Sequence, residues 1–128
     1  MKIILLGALD NPYPYMKNCD LYILASLQEA APMVYGEAMI CKAPILTTEN
    51  ISAKEMVATE FGLICENSEE GLSNALDKLL SNRELLKEYK RNLDNYDYTN
   101  IRSVEKIKEL IAKITGAEDA IAVNNNAA

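Results

Sequence analysis

The sequence LYILASLQEAAPMVYGEAMICKAPILT, residues 21–47, contains two short apolar runs with a loop and a helical pattern between them. We expect strands over residues 21–25 and 44–47, where apolar residues follow one another without the spacing of a helix. Pro32 suits the first position of a helix, because a missing N–H loses no partner there, so a helix is predicted over residues 33–41. Strands that alternate with helices indicate a parallel sheet joined by right-handed crossovers.

The same alternation continues on both sides of this segment. Further strands are predicted at residues 3–6 and 61–65, and one helical turn at residues 15–18. The other predicted helices are a short one capped by Ser52 and Glu55, one over residues 69–80 entered through Asn67 or Ser68, one from residue 81 to about residue 93, and one over residues 101–114 that ends at Gly116. The fold class is therefore α/β, a parallel sheet flanked by helices and followed by C-terminal helices.

The composition excludes several classes of function. The 128 residues carry a net charge of −6, which disfavours nucleic-acid binding because such binding needs basic surface. No apolar run approaches the roughly 18 residues of a membrane-spanning helix, and residues 3–6 are too few for a secretory signal, so we expect a cytoplasmic protein. The absence of histidine removes histidine-activated nucleophiles and histidine-ligated zinc. Cys19, Cys41 and Cys65 stand singly and are expected to be buried free thiols.

The loop at residues 26–32 leaves a strand and enters a helix, which is where parallel sheets bind ligands. The first amides of that helix are free to hold phosphate. Glu37 lies on the same helix face as Met33 and Val34, and its carboxylate can accept hydrogen bonds from a vicinal diol, as in ribose recognition. Glu29, nearer the loop tip, is placed for a second set of hydroxyls. The residues alone leave open that both glutamates are solvated surface acids.

Three strings of the sequence carry a resemblance to a known family. SLQEAAPMVYGEAM, residues 26–39, has two glutamates, Glu29 and Glu37, and resembles the E-x7-E signature of the family-4 glycosyltransferases. NPYPYMKNCDLYIL, residues 11–24, is similar to the segment that leads into the signature, and CKAPILTT, residues 41–48, is similar to the C-G-x-P-V-V-x-T segment that follows it. The resemblance covers about residues 1–113.

This resemblance implies part of a GT-B C-terminal domain, an incomplete Rossmann-like sheet over residues 1–113, with a tail at 114–128. It implies that the chain binds a nucleotide-diphosphate sugar and transfers the sugar with retention, as in the synthesis of bacterial polysaccharides. The catalytic role, contact with the donor sugar, falls to Glu29, and Glu37 would bind the nucleotide ribose. The other implied donor-binding residues are Ala30, Ala31, Pro32, Met33 and Val34. The resemblance implies no cofactor and no metal, since helix dipoles and basic side chains would stabilise the leaving diphosphate.

The sequence departs from the family pattern in ways that lower the expected activity. Ala30 and Ala31 replace a Gly-Phe pair, and Lys42 replaces a glycine that would tighten the helix end better. The family's Arg/Lys pair for the diphosphate and its N-terminal acceptor domain are not found. We therefore expect an exposed sheet edge and a fragment without catalysis of its own. The alternative is a non-catalytic nucleotide-sugar-binding or remnant module.

Two further features allow other interpretations. Tyr13, Tyr15 and Tyr22 offer either an aromatic platform for bases or sugars or half-buried packing, and we favour packing. The tail TGAEDAIAVNNNAA, residues 115–128, resembles a segment of bacterial selenocysteine synthase, a pyridoxal-phosphate enzyme. A fragment of such an enzyme is the third hypothesis, but no lysine here lies in a motif for that cofactor, so we expect a tail without a function of its own.

Overall fold

The computed structural model describes residues 2–26, 33–96, 109–110, 112–114 and 116. The chain divides into two compact units, Met1–Asp97 and Tyr98–Ala128. In the second unit, residues 109–110 and 112–114 are helical, whereas most of the predicted last helix and nearly all of the tail lie outside the described residues. None of the described helices has the length and apolar composition that crossing a membrane requires.

The first unit contains a three-stranded parallel sheet in the order β1 (Tyr22–Leu24), β2 (Ile45–Thr48) and β3 (Gly62–Cys65). The middle strand β2 is buried along its whole length, as expected for a parallel strand covered on both faces. The α/β class is thereby confirmed. The three strands predicted from residue 21 onward agree with the observed ones to within one residue at each end.

Helices cover both faces of this sheet. The helices of the first unit are α1 (Tyr13–Asn18), α2 (Val34–Ile40), α3 (Ile51–Met56), α4 (Glu69–Ser81) and α5 (Arg83–Asp94). One core cluster joins Ile45 of β2 to Tyr35 of α2, and the other joins Leu46 of β2 to Leu79 of α4 and Tyr89 of α5. Ile45 and Leu46 belong to different clusters because neighbouring residues of a strand point to opposite faces.

The strand predicted at residues 3–6 is wrong. Residues 2–6 have no regular secondary structure, and the side chains of Ile3 and Leu5 are 74% and 93% exposed. An apolar run forms a strand only where a neighbouring strand takes its hydrogen bonds, and within the described residues the ladders are those of β1, β2 and β3 alone. Among the described residues β1 is accordingly paired on one side, by β2, and Ile23 is 42% exposed.

Helix caps differ in part from their predicted positions. The N-cap residue of α3 is Asn50, two residues before the predicted cap. Its side chain accepts a hydrogen bond from the amide of Ala53 at 2.8 Å. Ser52, the predicted cap, is instead buried within the helix. Ser68 caps α4 as predicted, accepting from the amide of Gly71 at 2.9 Å. α5 is capped by Asn82.

Lys42 ends α2 in the left-handed conformation, with a φ of 62°. Its amide donates to the carbonyl of Met39 and the amide of Ala43 donates to that of Ala38, the bond pattern of a Schellman motif that glycine usually closes. The helix end is therefore bonded normally despite the lysine. The ammonium of Lys42 also donates to the carbonyls of Leu93 and Tyr96, at 2.7 and 2.6 Å. These charged hydrogen bonds offset a backbone strain of about 1 kcal/mol.

Gly62 allows β3 to approach β2 closely at the start of the strand. A Cβ atom at this position would overlap the carbonyl oxygen of Ile45 and would lie 2.9 Å from its carbonyl carbon. Gly62 itself is buried. The close contact between the two backbones therefore depends on the absence of a side chain.

The cysteines are free, as predicted, but they are half-buried and not fully enclosed. Burial raises the pKa of the Cys19 thiol and of the Cys65 thiol. Because the thiolate is the reactive form, we expect both to react with iodoacetamide at neutral pH several-fold more slowly in the folded chain than in denaturant. Peptide mass spectrometry over time measures each site separately. Equal rates in the folded and denatured chain would contradict this expectation.

Candidate functional site

The described residues around the carboxyl ends of β1 and β2 fix where the predicted binding loop leaves the sheet. Ser26 follows β1, and its amide donates to the hydroxyl oxygen of Thr48 at 3.1 Å. The Thr48 hydroxyl donates in turn to the carbonyl of Ser26 at 2.8 Å. The amide group of Asn67, which follows β3, donates to the same carbonyl at 3.4 Å. The loop therefore starts at the edge of the sheet where all three strands end.

Most of the predicted loop residues lie outside the described residues. These are Glu29, Ala30, Ala31 and Pro32, so the catalytic role of Glu29 and the donor contacts of the other three stay predictions. The described members of the predicted site are Met33, Val34 and Glu37.

Met33 and Val34 stand where α2 begins. Met33 is the N-cap residue, its side chain is 80% exposed, and no side-chain hydrogen bond caps the helix there. Val34 is half-buried and packs against the first core cluster. Among the amides of this first turn, that of Glu37 donates to the carbonyl of Met33 at 3.1 Å.

Glu37 lies in a cleft between α1 and α2 and is half-buried. Its carboxylate oxygen Oε1 accepts a hydrogen bond from the hydroxyl of Tyr13 at 3.0 Å. The two side chains line a cavity of about 280 Å³ together with Ile40 and Cys41. This hydrogen bond, together with the negative charge of Glu37, raises the pKa of Tyr13. Glu37 is therefore held by a partner, unlike a freely solvated surface acid.

Tyr35 and Thr47 fix α2 against the sheet. Both are fully buried, and the Tyr35 hydroxyl lies 2.7 Å from the hydroxyl oxygen of Thr47. Thr47 donates to the carbonyl of Leu24 at 2.9 Å, so the Tyr35 hydroxyl is the donor of the first bond, since a threonine hydroxyl has a single proton. This chain of bonds joins α2, β2 and β1, and thereby fixes the helix that carries Glu37.

The three N-terminal tyrosines Tyr13, Tyr15 and Tyr22 differ in how far they are exposed. Tyr13 and Tyr15 are 47% and 54% exposed, and Tyr22 is half-buried against the first core cluster. The predicted half-buried packing therefore holds for Tyr22. Tyr13 was missed as a partner of Glu37, because nothing in the sequence indicates a contact between residues 24 positions apart.

A second cavity of about 330 Å³ opens at the carboxyl ends of the strands. It is lined by Ala25, Ser26, Thr48, Asn67, Ser68, Glu69 and Leu72. Sequence reasoning assigned Asn67 and Ser68 to the entry of α4 only. The order of the elements could have indicated this cavity. The carboxyl ends of parallel strands lie at one edge of the sheet, so the start of α4, which follows β3, lies at the same edge as the ends of β1 and β2.

Comparison with known proteins identifies a family and a relative. Residues 1–96 match the family model described as Glycosyl transferases group 1. A curated relative is the N-acetylgalactosamine-N,N'-diacetylbacillosaminyl-diphospho-undecaprenol 4-alpha-N-acetylgalactosaminyltransferase of Campylobacter jejuni subsp. jejuni, 33% identical over 110 residues. The aligned region is 84% of this chain and 29% of the relative, so the chain spans under a third of the relative's length.

Proposed function

The chain belongs to the glycosyl transferases group 1 family, and from this premise we propose that it binds the nucleotide-sugar donor of a retaining, family-4 glycosyltransferase. The observation that carries the proposal is the position of Glu37. It stands on the helix that follows β1, half-buried in a cleft, with one carboxylate oxygen held by Tyr13. A carboxylate of this kind suits a ligand with neighbouring hydroxyl groups.

The proposed chemistry divides the donor among the residues of the loop and α2. Glu37 accepts hydrogen bonds from the ribose hydroxyls, and Glu29 accepts them from the donor sugar. The backbone N–H groups of Ala31, Met33 and Val34 donate to the diphosphate, whose charge they stabilise as it leaves, whereas Pro32 has no N–H to donate. The bond between the anomeric carbon of the sugar and the diphosphate breaks, and the same carbon forms a bond to a hydroxyl oxygen of the acceptor with retention of configuration. The departing diphosphate takes up the proton of that hydroxyl. No metal or cofactor is part of this proposal.

The name of the curated relative gives a first donor to test. That enzyme transfers N-acetylgalactosamine to a saccharide on diphospho-undecaprenol, according to its name. Because the matched residues of this chain are those that would contact the donor, we propose a nucleotide-linked N-acetylhexosamine as its sugar. We propose a glycan as the acceptor, bound by a domain homologous to the N-terminal half of such enzymes.

We expect Glu37→Ala to weaken nucleotide binding at least about tenfold, because a hydrogen bond to a charged group is lost together with the charge. Ligand-observed NMR with UDP, GDP and their N-acetylhexosamine conjugates measures the affinity and identifies the nucleotide. Glu88→Ala is the matched control, since Glu88 is an exposed glutamate on α5. A folded wild-type chain that binds none of these ligands, or equal binding by Glu37→Ala, would contradict the proposed function.

The alternative function is a binding module without transfer. Ala30 and Ala31, in place of the family's Gly-Phe, favour it, because alanine restricts the loop and the aromatic side chain is lost. Because the chain alone is expected to be inactive, it is incubated with the sugar nucleotide, an acceptor glycan and the N-terminal domain of a homologous glycosyltransferase, and free nucleotide is measured by chromatography. Binding with no release of nucleotide over many hours supports the module, and release supports the donor-binding part of a catalytic site.

A further inference from the structure

Tyr13 meets Glu37 from a different helix, at the start of α1. The Tyr13 amide donates to the side-chain oxygen of Asn11 at 3.1 Å, which ties down the backbone that carries the ring. Its hydroxyl is then 3.0 Å from Oε1 of Glu37. The pair borders the cavity of about 280 Å³ between α1 and α2, so the hydrogen bond is formed at the edge of open space.

Glu37 is held by a neutral donor. Among the described residues, the ion pairs are Lys54 with Glu49 and Lys87 with Glu84, and neither includes Glu37. A cation at this position would satisfy the carboxylate electrostatically and would compete with weak donors such as sugar hydroxyls. A single tyrosine hydroxyl fixes one oxygen and leaves most of the acceptor capacity of the carboxylate unused.

The geometry points to Tyr13 as a positioning residue of the nucleotide site. It holds Oε1 of Glu37, so that Oε2 and the free side of Oε1 face a pair of ribose hydroxyls, and it thereby makes the site selective for ribonucleotides over 2′-deoxyribonucleotides. This inference rests on the proposed function, because it takes Glu37 as the ribose ligand. It adds a residue on α1 and a basis for sugar selectivity.

The selectivity for ribose tests this role. Tyr13→Phe removes only the hydroxyl, and we expect it to weaken the binding of the ribonucleotide about fivefold while changing that of the 2′-deoxyribonucleotide about twofold or less. The ratio of the two affinities, measured by NMR titration with UDP against dUDP or GDP against dGDP, therefore falls. Tyr15→Phe is the control, because Tyr15 is a similarly exposed tyrosine on the same helix. It should leave the ratio unchanged.

A second measurement needs no ligand. The pKa of Tyr13 is raised by the Glu37 hydrogen bond and charge, so Glu37→Gln should lower it toward its ordinary value. NMR of the chain with ¹³C-labelled tyrosine follows this titration, with Tyr13→Phe identifying the signal. An unchanged Tyr13 titration in Glu37→Gln would overturn the inference.

The outcomes separate the inference from the proposed function. If Glu37→Ala weakens ribonucleotide binding and Tyr13→Phe leaves the ribose selectivity unchanged, the inference fails and the proposed function stands. Equal loss of ribonucleotide and 2′-deoxyribonucleotide affinity in Tyr13→Phe would make the hydrogen bond a brace between α1 and α2, which also overturns the inference. If the wild-type chain binds no nucleotide, or Glu37→Ala binds as the wild type does, both fail.

Discussion

Gly62→Ala is expected to lower the free energy of unfolding by about 3 kcal/mol. The new Cβ atom would overlap the carbonyl oxygen of Ile45, which belongs to the backbone of the neighbouring strand and cannot rotate away as a side chain can. The start of β3 would have to move from β2, and the ladder between Ile45 and Gly62 would be stretched. Because domains of this size are marginally stable, such a loss leaves a substantial unfolded population.

Urea unfolding followed by circular dichroism measures this change. Gly7→Ala is the matched control, since Gly7 has a φ of 67° but no atom within 4 Å of the position that a Cβ would take. It should show only the strain of a left-handed alanine, about 1 kcal/mol, in a segment that is exposed. Wild-type stability of Gly62→Ala would show that β2 and β3 do not approach as closely as described.

Leu79→Ala should destabilise the chain by about 3 kcal/mol, whereas Leu80→Ala should change its stability by less than about 1 kcal/mol. The two leucines are neighbours on α4, yet Leu79 is completely buried and Leu80 is 59% exposed. Leu79 packs in the second core cluster with Leu46 of β2 and Tyr89 of α5. Its truncation removes buried methyl groups and leaves a cavity that these neighbours fill only in part.

The comparison within one helix removes the effect of helix propensity. Both substitutions replace leucine with alanine near the end of α4, so their intrinsic preference for helix changes equally. The difference between the two unfolding midpoints therefore reports burial alone. Equal destabilisation by the two substitutions would mean that α4 is rotated relative to its described packing.

A strand was predicted correctly where an apolar run in the sequence also has a neighbouring strand with which to pair. Residues 44–47 form a short apolar run, and the same is true of residues 3–6, but only the first run has a strand on each side. Hydrophobic pattern alone does not report whether a partner exists. The capping of α3 failed for a similar reason, because Ser52 and Asn50 both qualify as caps and the choice depends on which side chain the core buries.

The position of Glu37 followed from topology, whereas its partner did not. The helix after the first strand of a parallel pair begins at the carboxyl edge of the sheet, and Glu37 lies in the first turn of that helix, α2. Its contact with Tyr13 depends on how α1 packs against α2, which is a tertiary property. The buried bond between Tyr35 and Thr47 is of the same kind, since each residue alone looks like an ordinary core or strand residue.

Lys42 has a consequence for how the first unit opens. Its ammonium joins the turn after α2 to carbonyls 51 and 54 residues further along the chain, at the end of α5. If the last turn of α5 frayed alone, a half-buried ammonium would lose two of its acceptors. We infer that the turn and the helix end exchange their amide hydrogens with solvent as one cooperative unit, although they are remote in sequence. A glycine at position 42 would remove the strain of the left-handed backbone. It would also remove the ammonium, so the two segments would fluctuate independently.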